Sequence, residues 1–183
     1  MRKLFLVASF CMLLGLTACG SDEKVISQDS QNTTQTSKEE NNNLSKEGNG
    51  YVFVYNGVEV QIDAEVEGYI SQLGEPASYY ESPSCAFDNL DKFYTYQGFE
   101  IDTYYSNEKD LVLGIVLLDD TVSTTEGICI GDAKDKVQTV YGEPTEKTDN
   151  SATYKKDNMK LVFIFQDDIV AAIEYKSLVL ETQ

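Results

Sequence analysis

The chain has 183 residues, of which 31 are acidic and 14 basic, so its formal charge at pH 7 is −17. It contains no histidine and no tryptophan, and Arg2 is its only arginine. These absences exclude a Ser-His-Asp or Cys-His catalytic site and remove the commonest metal ligand, and the negative charge repels nucleic acid. We therefore expect a non-enzymatic protein with no catalytic residue, no metal site, no cofactor and no nucleic-acid partner.

Residues 1–18 have the organisation of a bacterial secretory signal. Arg2 and Lys3 form a positive start, and the apolar run from Leu4 to Leu14 is too short to span a bilayer. Leu16-Thr17-Ala18-Cys19 then resembles the lipobox of bacterial lipoproteins, in which the cysteine is acylated, with palmitate among the acyl chains, after cleavage behind Ala18. The alternative is an ordinary cleavable signal in which Cys19 is incidental.

Cleavage behind Ala18 would change the formal charge from −17 to −19, because two basic residues and no acidic one would leave. The resemblance places the protein at the extracytoplasmic face of the cell membrane, anchored through lipid on Cys19. Residues 19–50 are polar and predict a disordered tether, because such a segment buries too little apolar surface to offset its ordering entropy.

The folded part is predicted to contain two copies of one pattern, residues 51–122 and 123–180. In the first copy, a strand near Val60 precedes a short helix. Apolar residues at helical spacing predict this helix, and Gly74-Glu75-Pro76 marks its end. Asp63 is the expected N-cap. Three strands follow, at Phe93 to Tyr96, Phe99 to Tyr105 and Leu111 to Leu118, with a hairpin turn at Gln97-Gly98.

The second copy repeats this order. A strand at Ile128 to Ile130 precedes a helix that Asp132 is expected to cap and that ends at Gly142-Glu143-Pro144. Three strands are again predicted, at Ala152 to Lys155, Lys160 to Phe165 and Ile169 to Tyr175. We therefore predict an α+β fold, a tandem repeat of a short helix and an antiparallel β-meander that forms a curved sheet with helices on one face.

The segment from Ile130 to Pro144, followed by three strands, resembles the repeat of the β-lactamase-inhibitor-protein-like superfamily, which also occurs in small lipoproteins of the outer-membrane assembly machinery. The longer stretch from Ser84 to Gly127 is similar to uncharacterised lipoproteins of Gram-positive bacteria. The resemblance implies the curved sheet, which in the inhibitor family binds protein. It implies no particular contact residue.

Two cysteines, Cys85 and Cys129, remain in the predicted domain after Cys11 and Cys19 are assigned to the signal and the lipid. An exported domain permits a disulfide between them. The alternative is two separate thiols, since Cys129 lies between isoleucines in an apolar segment that suits a small buried side chain.

Strand alternation across the Gln97-Gly98 hairpin predicts two faces. The core face is expected to carry Tyr94, Tyr96, Phe99, Ile101, Thr103 and Tyr105. The other face would carry Thr95, Glu100, Asp102 and Tyr104, a tyrosine-bearing acidic set that suits recognition of a protein with a basic surface. The alternative is an ordinary solvated sheet face. We expect a binding lipoprotein. The alternatives are a small-ligand or cation-binding lipoprotein and a carboxylate-dependent envelope hydrolase.

Overall fold

Antiparallel strands dominate the fold. The computed structural model describes residues 50–182, and within this range there are ten strands and two α-helices. The strands are β1 (Phe53–Tyr55), β2 (Val58–Val60), β3 (Ser78–Pro83), β4 (Leu90–Tyr96), β5 (Phe99–Ser106), β6 (Lys109–Leu117), β7 (Glu146–Thr148), β8 (Ser151–Lys156), β9 (Met159–Gln166) and β10 (Ile169–Ser177). Helix α1 (Glu67–Leu73) follows β2, helix α2 (Lys134–Tyr141) follows β6, and a 3₁₀ turn (Val179–Glu181) follows β10.

Eight of the strands in the described range form one sheet, in the order β3-β4-β5-β6-β10-β9-β8-β7, and β1 pairs with β2 in a separate hairpin. The contact between β6 and β10 joins the two halves of the large sheet. Two-residue turns connect five of its neighbouring pairs, namely β4–β5, β5–β6, β7–β8, β8–β9 and β9–β10. The turn between β9 and β10, for example, has Asp167 and Asp168 at φ values of 52° and 60°, the left-handed region that such hairpins require.

The predicted fold class is wrong. The chain is mostly antiparallel β, with one continuous sheet and a small hairpin, and it is not a tandem α+β repeat of helix and meander. The two helices of the described range are only seven and eight residues long, and Val137 is the one residue that they bury. Helical spacing over two turns identifies a helix but does not show how little of the core it provides, and most of the buried side chains lie on strands.

The core lies on one face of the large sheet. Residues directly opposite each other in antiparallel strands project to the same face, and one such set crosses six strands: Tyr94, Ile101, Ile115, Tyr175, Leu161 and Tyr154. All but the half-buried Tyr94 are buried. The β1–β2 hairpin covers this face with Phe53 and Val60, both fully buried, and the Phe53 ring packs 4.9 Å from Phe99.

Local predictions had mixed outcomes. Both predicted helices are confirmed, and so are the three strands predicted after each of them, although the first and last residues differ. The strand expected at Ile128 to Ile130 is wrong, because these residues form loop and turn. Both caps are also wrong: the helices begin after Val66 and Ala133 without a side-chain cap. Asp63 instead accepts a hydrogen bond from Tyr104 at 3.0 Å, and Asp132 accepts one from the backbone N–H of Cys129 at 2.9 Å.

Candidate functional site

The second face of the large sheet is the candidate site, and we name it the open face. Cross-strand pairing defines two adjacent rows on it. The first row is Tyr80, Phe93, Asp102, Gly114, Lys176, Lys160 and Lys155, and the second is Ser78, Thr95, Glu100, Val116, Glu174, Val162, Thr153 and Glu146. Except for Gly114, all of these residues are half-buried or exposed. Tyr80 is 62% exposed, and its ring lies 5.9 Å from the ring of Phe93.

Asp102 lies near the middle of this face, and its carboxylate is more buried than its position suggests. It pairs with Gly114 on β6, so no side chain occupies the neighbouring position. Asp102 Oδ2 lies 3.8 Å from the place where a Cβ of residue 114 would stand. The missing side chain therefore provides the space into which the carboxylate settles.

No cation within residues 50–182 forms a salt bridge with this carboxylate. Among the described residues, Asp102 Oδ1 has no hydrogen-bond partner, and neither has Oδ1 of Asp91 on β4. Lys176 lies across Gly114 from Asp102, but its ammonium binds Glu174 at 2.7 Å. Burial, which is the largest cause, and the negative charges of Glu100, Glu174 and Asp91 together raise the pKa of Asp102 to about 6, against the opposing effect of Lys176. We name Asp91, Glu100, Asp102 and Glu174 the acidic cluster.

The other half of the open face is basic but neutralised. Lys155, Lys160 and Lys176 lie directly opposite one another on three adjacent strands, an arrangement that is destabilising for like charges unless counter-charges are present. Glu181 of the C-terminal turn supplies them, with carboxylate oxygens 2.5 Å from Lys160 Nζ and 3.4 Å from Lys155 Nζ. Glu174 is paired with Lys176, so the open-face carboxylates of residues 50–182 that lack a salt bridge are those of Asp91, Glu100 and Asp102 in the acidic cluster.

The structure brings together three of the four residues predicted for the recognition face. Thr95 and Glu100 lie opposite each other, with a 2.6 Å hydrogen bond from Thr95 Oγ1 to Glu100 Oε2, and Asp102 follows on the same face. Tyr104 is different. It is only 5% exposed, because its ring packs 4.8 Å from Phe87 and its hydroxyl donates to Asp63.

Sequence reasoning did not identify Asp91, Phe93, Gly114 or Glu174 as members of this surface. Phe93 begins the first predicted strand of the hairpin and Asp91 precedes it, whereas Gly114 and Glu174 join the surface through β6 and β10. The alternation within β4 could have placed Asp91 and Phe93 on the face of Thr95. No signal in the sequence indicates the pairing of β6 with β10.

The two cysteines of the domain are both free thiols in this structure. Cys85 is exposed in the loop between β3 and β4, whereas Cys129 is half-buried beside Asp132. Burial raises the pKa of the Cys129 thiol, and its hydrogen bond to the Asp132 carboxylate adds to this effect. Cys19, the predicted lipidation site, lies outside the described residues.

Acidic pairs elsewhere in the domain are turn residues. Asp119 accepts hydrogen bonds from the backbone N–H and the hydroxyl of Thr121, and Asp167-Asp168 forms the β9–β10 turn. Within residues 50–182 no three Cys, Asp or Glu side chains are grouped so that they could hold a metal ion. The helices of this range are too short to cross a membrane.

Two solved structures resemble this one in backbone trace. An extracellular protein containing an SCP domain from Bacillus anthracis str. Ames has a TM-score of 0.47 and 12% identity, over 63% of this chain and 44% of that one. A DUF4309 family protein, YjgB, from Bacillus subtilis subsp. subtilis str. 168 has a TM-score of 0.39 and 16% identity, over 64% and 81%. The chain thus spans less than half of the first protein. No protein family and no curated protein matches the sequence.

Proposed function

We propose that this chain is a lipid-anchored extracytoplasmic protein whose folded domain binds a protein partner with a basic surface through the open face. The observation that carries this proposal is the half-buried, unpaired carboxylate of Asp102 among three further carboxylates. A buried charge without a partner destabilises a fold, and groups whose pKa is strongly perturbed concentrate at functional sites.

The surroundings of Asp102 favour a basic side chain as that counter-charge. Phe93 lies directly opposite Asp102 and Tyr80 opposite Phe93, so an aromatic surface borders the acidic cluster. A lysine or arginine of the partner would meet a carboxylate and an aromatic ring together, which supports both ion pairing and cation–π contact. The half-buried Val116 and Val162 in the adjacent row add apolar area.

Binding is favoured over catalysis by the shape of the site. A raised carboxyl pKa beside a second carboxylate is also typical of hydrolases. However, the acidic cluster lies on the face of a sheet and lines neither of the two clefts beside the helices. A protein partner can cover such a face, whereas a small substrate there would remain exposed to water.

The binding proposal is tested with the full-length tagged protein in membranes of the bacterium that makes it. A carbodiimide, which joins a carboxylate directly to an amine in contact with it, should link a partner protein to Asp91, Glu100 or Asp102. Asp102→Asn should reduce the yield several-fold, and Asp88→Asn, which changes an exposed loop carboxylate, should not. Unchanged yield in Asp102→Asn, or links that map to another surface, would refute the proposal.

The anchor is tested separately by Cys19→Ala. After a pulse of labelled palmitate, the wild-type chain should carry label and sediment with membranes, because the lipobox predicts acylation of Cys19. The alanine variant should carry none. Labelling of the variant would show that the anchor assignment is wrong while leaving the open-face proposal intact.

A further inference from the structure

The groove between α2 and the β7–β8 edge of the sheet is a second candidate site, and we name it the α2 cleft. Its volume is about 540 Å³, within the range of roughly 300–1,000 Å³ that small-molecule sites occupy. The lining is mixed: five of its eleven residues are apolar or aromatic, namely Val137, Pro144, Ala152, Tyr154 and Phe165, and the other six are polar or charged.

The cleft follows from the local sequence. Helix α2 has two turns and buries only Val137, so a groove remains between it and the β7–β8 edge, at the margin of the core residues Ala152, Tyr154 and Phe165. The chain then leaves the helix at Gly142, whose carbonyl accepts a hydrogen bond from the Tyr154 hydroxyl at 3.1 Å. This contact fixes the Tyr154 ring as one wall of the cleft.

A fixed cation stands at one end of the apolar lining. Lys134 Nζ donates to the carbonyl oxygen of Asp149 at 2.8 Å and lies 5.1 Å from the centroid of the Phe165 ring. Its nearest carboxylate, that of Asp168, is 3.8 Å away on a side chain that is 86% exposed. Lys147 also lines the cleft, and its closest carboxylate lies 3.8 Å away on exposed Glu143. Both ammonium groups therefore have donors that a ligand can use.

The corresponding groove beside α1 differs in charge. It has a volume of about 430 Å³, and its lining includes Glu65, Glu67, Glu108 and Asp110. Its two lysines are held close to carboxylates, Lys92 at 2.7 Å from Asp110 and Lys109 at 2.6 Å from Glu65. The α2 cleft thus combines an apolar floor with loosely paired lysines, in a chain whose formal charge is −17.

From this geometry we infer that the α2 cleft binds a small amphiphilic anion, with a flat or aliphatic body on the Phe165–Tyr154 floor and one carboxylate, sulfonate or phosphate group at Lys134. The ligand is a free molecule rather than a membrane surface, because the net negative charge of the protein repels an anionic bilayer. This site shares no residue with the open face and stands independently of it.

The test uses two dyes with the same ring systems, the anionic 8-anilinonaphthalene-1-sulfonate and the neutral N-phenyl-1-naphthylamine. The mature chain from residue 19, made without its signal so that it is not acylated, keeps every residue of the described fold. Lys134→Gln should weaken binding of the anionic dye by about tenfold, the effect of one charge-assisted hydrogen bond, and leave the neutral dye unaffected. Lys136→Gln is the matched control, because Lys136 binds Gly127 and Asp132 outside the cleft.

Filling the cleft provides the second measurement. Ala152→Phe should abolish binding of both dyes, and Gln138→Phe, at an exposed lining position on α2, replaces it if urea unfolding shows that the first variant does not fold. Anionic-dye binding that survives in the folded filled variant, or that Lys134→Gln leaves unchanged, would overturn the inference. Lys134-dependent sedimentation with phosphatidylglycerol vesicles would also overturn it, because the ligand would then be a lipid surface.

Discussion

Replacing Asp102 by asparagine should make the domain more stable at neutral pH. Asparagine has nearly the same shape and removes the charge that the fold accommodates poorly. The folded-state pKa of Asp102 is about 6, against an ordinary value of 3.8. At about 1.4 kcal/mol per pKa unit, this difference corresponds to about 3 kcal/mol of destabilisation when the carboxylate is ionised.

The pH dependence has a definite sign. A carboxyl whose pKa is raised by folding binds its proton more tightly in the folded state, so ionisation destabilises the fold. The penalty grows as the pH rises from about 4 through about 6 and is complete above that range. Asp102→Asn should therefore gain about 3 kcal/mol at pH 7.5 but only about 1 kcal/mol at pH 4.5.

The assay is urea unfolding of the unacylated mature chain, followed by far-ultraviolet circular dichroism at both pH values. The control Asp88→Asn changes an exposed carboxylate and should stay within about 0.5 kcal/mol of the wild type. A variant Asp102→Asn that is no more stable than the wild type at pH 7.5, or whose gain is the same at pH 4.5, would refute the account of Asp102 as a buried unpaired charge.

Four further predictions follow from burial and charge. Phe99→Ala should lose about 3–5 kcal/mol in urea unfolding, because Phe99 is fully buried against three aromatic rings. Tyr104→Ala should lose about 3 kcal/mol in the same assay, since it removes a buried ring and its hydrogen bond to a carboxylate. A thiol reagent should modify exposed Cys85 quickly and Cys129 slowly, because the pKa of Cys129 is raised. Co-purification of the partner with the tagged protein should decline between about pH 7.5 and 5.5, as Asp102 takes up its proton.

The sequence predicts the elements of this fold better than their assembly. Long strands such as β5 and β9 alternate buried and exposed residues, which is the local signal that sequence reasoning uses. The edge strands β3 and β7 are largely exposed and lack this alternation, so they were missed. The pairing of β6 with β10 joins segments that are distant in the chain, and no local pattern specifies it.

The face of a side chain could be predicted, but its burial could not. Alternation placed Asp102 and Tyr104 on one face with Glu100, yet the two are covered for different reasons. Tyr104 is buried because Phe87 and Asp63 lie against it, and both come from elsewhere in the chain. Asp102 settles into the space left by Gly114 on a neighbouring strand. Each cause is a tertiary contact that the sequence of β5 does not contain.

The position of Asp102 also bears on how a partner would gain affinity. Folding of the free domain has already removed water from this carboxylate. Binding of a partner's cation therefore adds no further desolvation cost for Asp102. Ion pairing would lower the pKa of Asp102 toward its ordinary value and so remove the destabilisation that its ionised carboxylate causes in the free domain. By linkage, this free energy would contribute to the affinity for the partner. A sheet with a neutral residue at this position would be more stable alone and would have less to gain from a basic partner. The proposed function accounts for the destabilising carboxylate and the glycine opposite it together, as a preorganised contact for positive charge.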